Sequence, residues 1–228
     1  GATTRDEKIR RIFKFVSQEI RYMGITAEEV SPGYEPHDVS LTFDNRYGVC
    51  RDKAALLAAL LRLADIPAYP VLINASNKMD PDVPFPFFNH AITAVDKPGG
   101  GYTLMDPTDE NTRDLFPSYL CNRSYLVAKE AGETLLVSDV YPAEKNLARI
   151  ATEGSLDDTG TLLLKTQIRL EGINDNAYRG HLLNMKAELR RKFFEALLKN
   201  RFSGAEVLAC AITPADLQDT ETPLDVAL

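Results

Sequence analysis

The sequence has no tryptophan, and its 228 residues include only three cysteines and three histidines. Cys50, Cys121 and Cys210 are too few, and odd in number, for a disulfide scaffold. His37, His90 and His181 have no cysteine or second histidine at ligand spacing, so neither a metal site nor a cofactor is expected. The glycine strings GxGxxG and GxxxxGK[ST] are missing, as is the GxSxG elbow, which removes phosphate cradles and the usual serine-hydrolase turn. Basic charge is scarce: 26 Lys and Arg stand against 33 Asp and Glu, giving a net charge of −7 and a pI near 5.1. No nucleic-acid partner is expected of so acidic a chain, because phosphates call for a basic face. No apolar run reaches the roughly 18 residues of a membrane-crossing helix, so no membrane-spanning segment is expected. The amino end, Gly1-Ala2-Thr3-Thr4-Arg5-Asp6, has neither a basic n-region nor an apolar h-region. An opening without Met and an abrupt carboxyl-terminal stretch beginning Thr222-Pro223-Leu224 suggest a mature or excised fragment, so the lack of a signal peptide says nothing about compartment.

What is present is a core. Hydrophobic residues make up 44% of the chain, and a chain of this length buries about 70% of its unfolded surface. Thr4-Arg5-Asp6-Glu7 reads as a capping box. Ile9, Ile12, Phe13, Val16 and Ile20 then recur on one helical face, predicting a helix over residues 5–21. Residues 24–45 are punctuated by Ser31-Pro32-Gly33-Tyr34 and Glu35-Pro36 and read as a structured loop, with a short helix capped by Asp38. From Cys50 to Ala64 the sequence is built of strong helix formers and is apolar on every side in its middle, so this helix belongs in the domain centre. It must stop at Asp65-Ile66-Pro67. Strands are expected over residues 68–74, 90–95 and 101–105, the last two as an antiparallel hairpin, after which the chain is loop-rich. Helix followed by antiparallel strands is an α+β order. Tyr141-Pro142 marks a boundary between a domain over 1–141 and a small β-rich accessory domain over 142–228. The second domain has two strands around Asp157-Gly160, one long helix over 176–200 and a strand over 206–212.

Three residues stand out chemically. Cys50 opens the buried helix, where the positive end of the helix dipole favours a thiolate. His90 starts an apolar strand and could meet that helix end as proton acceptor, and Asp106 ends the next strand, where it could hold the imidazole. Taken singly, each has an ordinary structural explanation: a buried packing thiol, a core histidine bonded to backbone, a turn-starting Asp-Pro. The charged cluster Arg190-Arg191-Lys192 reads as a solvated face. Pro81, Pro84 and Pro86 with Phe85, Phe87 and Phe88 form either a wall beside a cleft or a plain proline-rich connection.

Taken together, Tyr47-Gly48-Val49-Cys50, Ile66-Pro67-Ala68, Phe88-Asn89-His90-Ala91 and Met105-Asp106-Pro107-Thr108 resemble, in order, the core of the transglutaminase-like superfamily. The resemblance covers about residues 5–125 and is closest to the bacterial branch, since Gly48-Val49-Cys50-Arg51-Asp52-Lys53 is similar to its Gly-Asp-Cys-Lys-Asp-Lys. It implies a papain-like α+β core, with the nucleophile at the start of a buried helix packed on an antiparallel sheet. It further implies Cys50 as nucleophile, His90 as general base and acid, and Asp106 as the group that orients His90. Val49 stands where the branch often has Asp, and Asp65 where it usually has Gly. Without tryptophan, the indole oxyanion donor of animal transglutaminases has no counterpart here. The Cys50 backbone N–H is one expected donor, with Tyr34 or Tyr22 as the second. The implied activity is thiol acyl transfer on a peptide or amide-containing substrate through a thioester, hydrolysis ranking ahead of protein-glutamine transamidation. A non-catalytic binding or assembly module is the other possibility. By resemblance, such cores often follow an amino-terminal β-rich domain in exported, periplasmic or cell-surface bacterial proteins.

Overall fold

The structure is a computed structural model that describes residues 2–24, 33–83, 85–200 and 202–228. The expected punctuation at Ser31-Pro32 and the prolines' middle member, Pro84, lie outside the described residues. The chain divides into two compact units, Gly1–Glu110 with Asp114–Val140, and Asn111–Arg113 with Tyr141–Leu228.

The first unit opens with helix α1 (Arg5–Lys14), started by the capping box: Thr4 Oγ1 accepts from Glu7 N, and Glu7 Oε2 accepts from Thr4 N. Its stripe of Ile9 and Phe13, continued by Val16 and Ile20, is buried. The helix expected over 5–21 does not persist. After Lys14 it widens into a π-helical turn, Phe15–Glu19, and gives way to the short strand β1 (Arg21–Tyr22). The fully buried Lys53 supplies a reason. Its ammonium donates to Ser17 O at 3.1 Å and also to Ile20 O, drawing both carbonyls out of a regular helical ladder.

Helix α2 (Val39–Asn45) starts where Asp38 Oδ1 accepts from Ser40 N at 2.8 Å, as its capping type predicts, and ends at the left-handed Arg46. Strand β2 (Tyr47–Gly48) pairs in parallel with β1. Helix α3 (Cys50–Leu63) then runs through the centre, with Asp52 to Ala58 and Leu61 buried. Each fully buried leucine there contributes roughly 1.5–3 kcal/mol relative to exposure. Leu63, at 82% exposed, marks where the helix leaves the core. Asp65 takes φ 63°, the left-handed conformation that ends the helix before Pro67.

Beside α3 lies an antiparallel sheet of β3 (Ala68–Ile73), β4 (His90–Asp96), β5 (Tyr102–Met105), β6 (Ser124–Val127) and β7 (Leu136–Val137), in the order β5-β4-β3-β6-β7. Helix α3 packs on β3 and β4, and Thr93 Oγ1 donates to Ala54 O at 2.9 Å across that contact. The stretch after Asp106, expected to be loop-rich, supplies β6 and β7. Both are too short for a visible alternation, and β6 is held by its pairing with β3.

The second unit has a sheet in the order β10-β11-β9-β8, made of β8 (Ala148–Leu156), β9 (Leu162–Leu170), β10 (Ala211–Thr213) and β11 (Leu224–Ala227). Asp157 Oδ1 closes the β8–β9 turn by accepting from Thr159 N and Thr161 N, each at 2.9 Å. In place of the one long helix expected there are two, α4 (Ile173–Leu183) and α5 (Ala187–Lys199). Asn184 Nδ2 takes Gly180 O at 2.9 Å and Arg190 Nε takes Leu182 O at 3.1 Å, which satisfies the last carbonyls of α4 and lets the chain turn. The strand expected over 206–212 is reduced to Ala211–Thr213, and β11 has no counterpart in the expectation. This unit's core is Leu170, Leu182, Phe194, Leu217, Leu224 and Val226.

Candidate active site

Cys50 is placed by backbone pairing upstream of it. Tyr22 sits opposite Gly48 in the parallel β1–β2 pair, and Met23 N donates to Gly48 O at 3.0 Å. Gly48 is required by space: a Cβ there would lie 2.8 Å from Asp52 Cβ and 3.1 Å from Thr42 Cγ2. Val49 is the N-cap of α3 and has no polar side chain to occupy the first-turn N–H groups. Asp52 reaches back instead, accepting from Val49 N at 3.0 Å, and its other oxygen accepts from His37 N at 2.9 Å and faces His37 Nδ1 at 3.1 Å. The Cys50 thiol is thereby fixed at the amino end of a buried helix, and the Arg51 N–H is directed to it.

His90 is the first residue of β4, paired with Ile73 of β3, and Asp106 follows the last residue of β5. The β4–β5 register sets Thr93 opposite Met105, so the two side chains arise at the same end of adjacent strands. Asp106 is wholly buried, and its backbone N–H donates to Leu115 O at 2.7 Å. Its Oδ2 lies 2.9 Å from His90 Nε2, while Oδ1 accepts from Thr108 N at 3.0 Å and Thr108 Oγ1 at 2.6 Å. With Nε2 occupied by Asp106, the imidazole has Nδ1 left for the thiol, and a hydrogen bond joins Cys50 and His90.

The electrostatics follow this geometry. Burial opposes a Cys50 thiolate, but the hydrogen bond and charge of His90 and the N–H groups of Ala91 and Arg51 outweigh it, and the thiol falls below its ordinary 9.0. Burial likewise opposes an imidazolium, yet Asp106 and Cys50 push His90 up to about 10. Asp106 is held below the usual carboxylate value despite its burial, by His90 and then by Thr108. All three shifts favour a thiolate beside an imidazolium.

The two candidate tyrosines part company. Tyr34 Oη donates to Pro86 O at 2.7 Å and Phe88 O at 3.0 Å, so its single proton is directed at the loop ahead of His90. Tyr22 is near enough to the site that, after burial, the charges of Cys50 and Asp106 raise its hydroxyl, which stays protonated at neutral pH. Sequence reasoning missed Tyr119, on the turn Ser118–Leu120, whose hydroxyl is raised by burial, by the charges of Asp106 and Asp109 and by a hydrogen bond to Asp106. It also missed His37, which joins the loop before α2 to Asp52. Neither lies in a periodic segment, and no motif announces them. Buried Lys53 is brought down to about 8 by burial, against the pull of Glu110, Asp106 and Asp109. Among the described residues, no group of three or more His, Cys, Asp or Glu side chains could hold a metal ion, and no helix is long and apolar enough to cross a membrane.

Residues 1–107 match the family model of the Transglutaminase-like superfamily, a span that includes Cys50, His90 and Asp106. No curated protein and no solved structure gives a significant match to the chain.

Proposed function

We propose that the transglutaminase-like domain carried by residues 1–107 is a thiol acyl-transfer enzyme of papain-like arrangement, which hydrolyses a peptide or carboxamide bond with Cys50, His90 and Asp106 as its triad. One observation carries the reading: His90 is bonded to buried Asp106 at 2.9 Å through one nitrogen and to Cys50 as well, with the thiol lowered and the imidazole raised. A packing cysteine has no need of such a partner. In this reading the Cys50 thiolate attacks the substrate carbonyl carbon, forming a C–S bond while the carbonyl oxygen takes the negative charge. The Cys50 N–H and the Tyr22 hydroxyl are the oxyanion donors; the Tyr34 proton is committed elsewhere. His90 then protonates the leaving nitrogen as the C–N bond breaks, leaving a thioester. In the second half His90 takes a proton from water, the oxygen attacks the thioester, and the C–S bond breaks to return the thiolate. Half-exposed Tyr22 and Tyr119 border the site, which leaves water at hand as the acceptor.

The test uses iodoacetamide at neutral pH, with Cys121 and Cys210 as internal controls, followed by p-nitrophenyl acetate. Cys50 is expected to alkylate first, since burial raises the Cys210 thiol. Release of p-nitrophenolate in a burst stoichiometric with protein, lost in Cys50→Ala, is the expected second result. Equal, sluggish alkylation of all three thiols with no burst would leave a binding module instead.

A further inference from the structure

The segment that leads into His90 carries exposed aromatic surface that the triad does not require. Phe85 and Phe87 are 52% and 64% exposed, and their rings lie 4.0 Å apart between centroids. Such surface usually drifts on a loop, yet here the backbone beneath it is pinned on both sides. Asn74 Nδ2 donates to Phe87 O at 2.7 Å, Asn89 Oδ1 accepts from Ala75 N at 2.8 Å, and Tyr34 Oη donates to Pro86 O and Phe88 O. These residues border a cavity of about 530 Å³, within the range of small-ligand sites. Rigidly held aromatic surface facing an open cavity marks a binding site more than a packing defect. Tyr34 also ties this segment to the loop that His37 anchors on Asp52, in the first turn of α3.

The position relative to His90 decides which half of a substrate the surface would meet. His90 gives its proton to the leaving nitrogen, and by microscopic reversibility it takes a proton from any amine that attacks the thioester. The amine component therefore lies on the His90 side of the scissile carbonyl, and Phe87 precedes His90 by three residues, with Phe88 and Asn89 between them also lining the cavity. We propose that Phe85, Phe87 and Tyr34 form a subsite for a bulky apolar or aromatic side chain on the amine side of the bond. The inference rests on the thiol acyl-transfer reading above and names the substrate class that this site would prefer.

The experiment partitions one acyl-enzyme between two amines. p-Nitrophenyl acetate acylates Cys50 with loss of p-nitrophenolate; the nitrogen of phenylalaninamide or glycinamide then attacks the thioester, C–N forms, C–S breaks and the amine's proton passes to His90. At equal concentrations of free amine, N-acetylphenylalaninamide is expected to exceed N-acetylglycinamide by on the order of tenfold, read by mass spectrometry. In Phe87→Ser, and separately in Phe85→Ser, that ratio should fall toward one. Because the two products compete for the same acyl-enzyme, a variant that acylates slowly still reports the ratio. A Cys50-dependent burst with no preference between the amines overturns the subsite and leaves the enzyme reading standing. A preference that survives in both variants also overturns it. No Cys50-dependent burst at all overturns the enzyme reading and the subsite with it.

Discussion

At the scale of single residues, the balance of burial against pairing sets how reactive Cys50 is. Burial is the largest influence and raises the thiol; His90 is the largest opposing one, through its hydrogen bond and its charge. Removing the imidazole leaves only the Ala91 and Arg51 N–H groups against burial. In His90→Ala the pH at which alkylation of Cys50 reaches half its maximal rate is therefore expected to move up from a wild-type value below 9.0. At pH 7 that means less thiolate and slower labelling. Asp106→Asn keeps the shape but removes the charge that raises His90, so its profile should move the same way, less far. Its p-nitrophenolate burst should slow by about 10²-fold or more, because the imidazole loses the partner that fixes its tautomer. Stopped-flow alkylation across pH checks both, and a His90→Ala profile that coincides with wild type would detach the imidazole from the thiol. Cys50, His90 and Asp106 each stand at an element boundary that the sequence marks, but singly each also reads as ordinary packing or a turn, and it was the order of four motifs resembling the transglutaminase-like superfamily that singled them out. Tyr119 and His37 were not legible, since only long-range packing brings a short turn and a loop to Asp106 and Asp52.

Among elements, the start of α3 depends on a narrow passage. The β1–β2 pair, Gly48 and Asp52 together fix where Cys50 emerges, and Gly48 is the point without slack. In Gly48→Ala the new methyl would press on Asp52 Cβ and Thr42 Cγ2, so either α2 or the first turn of α3 must shift. A cost of roughly 1–3 kcal/mol is expected for such overpacking, read as a lower urea midpoint, together with slower Cys50 alkylation as the thiol leaves His90. A variant with wild-type midpoint and wild-type alkylation would show that the passage has room. Element by element, the sequence was most legible where a local signal was strong: the capping box and apolar stripe of α1, the run of helix formers in α3, and the β4–β5 and β8–β9 hairpins. It failed where a side chain, distant or near, captured helix carbonyls and overrode the apolar pattern. Lys53 reshapes the end of α1 from more than thirty positions away, and Asn184 with Arg190 divides what the apolar pattern presents as one continuous helix.

For the molecule as a whole, two cores mean two places where stability can be removed, and the chemistry proposed here draws on one. The second unit is organised around Arg179, fully buried on α4. Its guanidinium bonds both oxygens of Asp175 at 2.8 and 3.1 Å and donates to Leu217 O, Asp219 O and Thr222 O. Asp175 in turn accepts from Leu224 N at 2.7 Å, so one ion pair anchors the strand β11 and the segment before it to α4. Nothing in a sequence marks an arginine as buried; two of its five bonds meet Asp175 within α4, and the other three find partners only once the chain has returned from residue 217 onward. Arg179→Ala would leave Asp175 charged and buried with its guanidinium partner gone, a loss of about 3–5 kcal/mol for this kind of site. Hydrogen exchange read by mass spectrometry should show protection lost across β9, α4 and β11. Over α3, β3 and β4 it should be retained, because their core of Leu57, Leu61, Ile66 and Val95 belongs to the first unit. Iodoacetamide should still select Cys50 in that variant. Protection lost in both units at once, with Cys50 selectivity gone, would mean that the two cores fold as one and that residues 141–228 support the thiol directly.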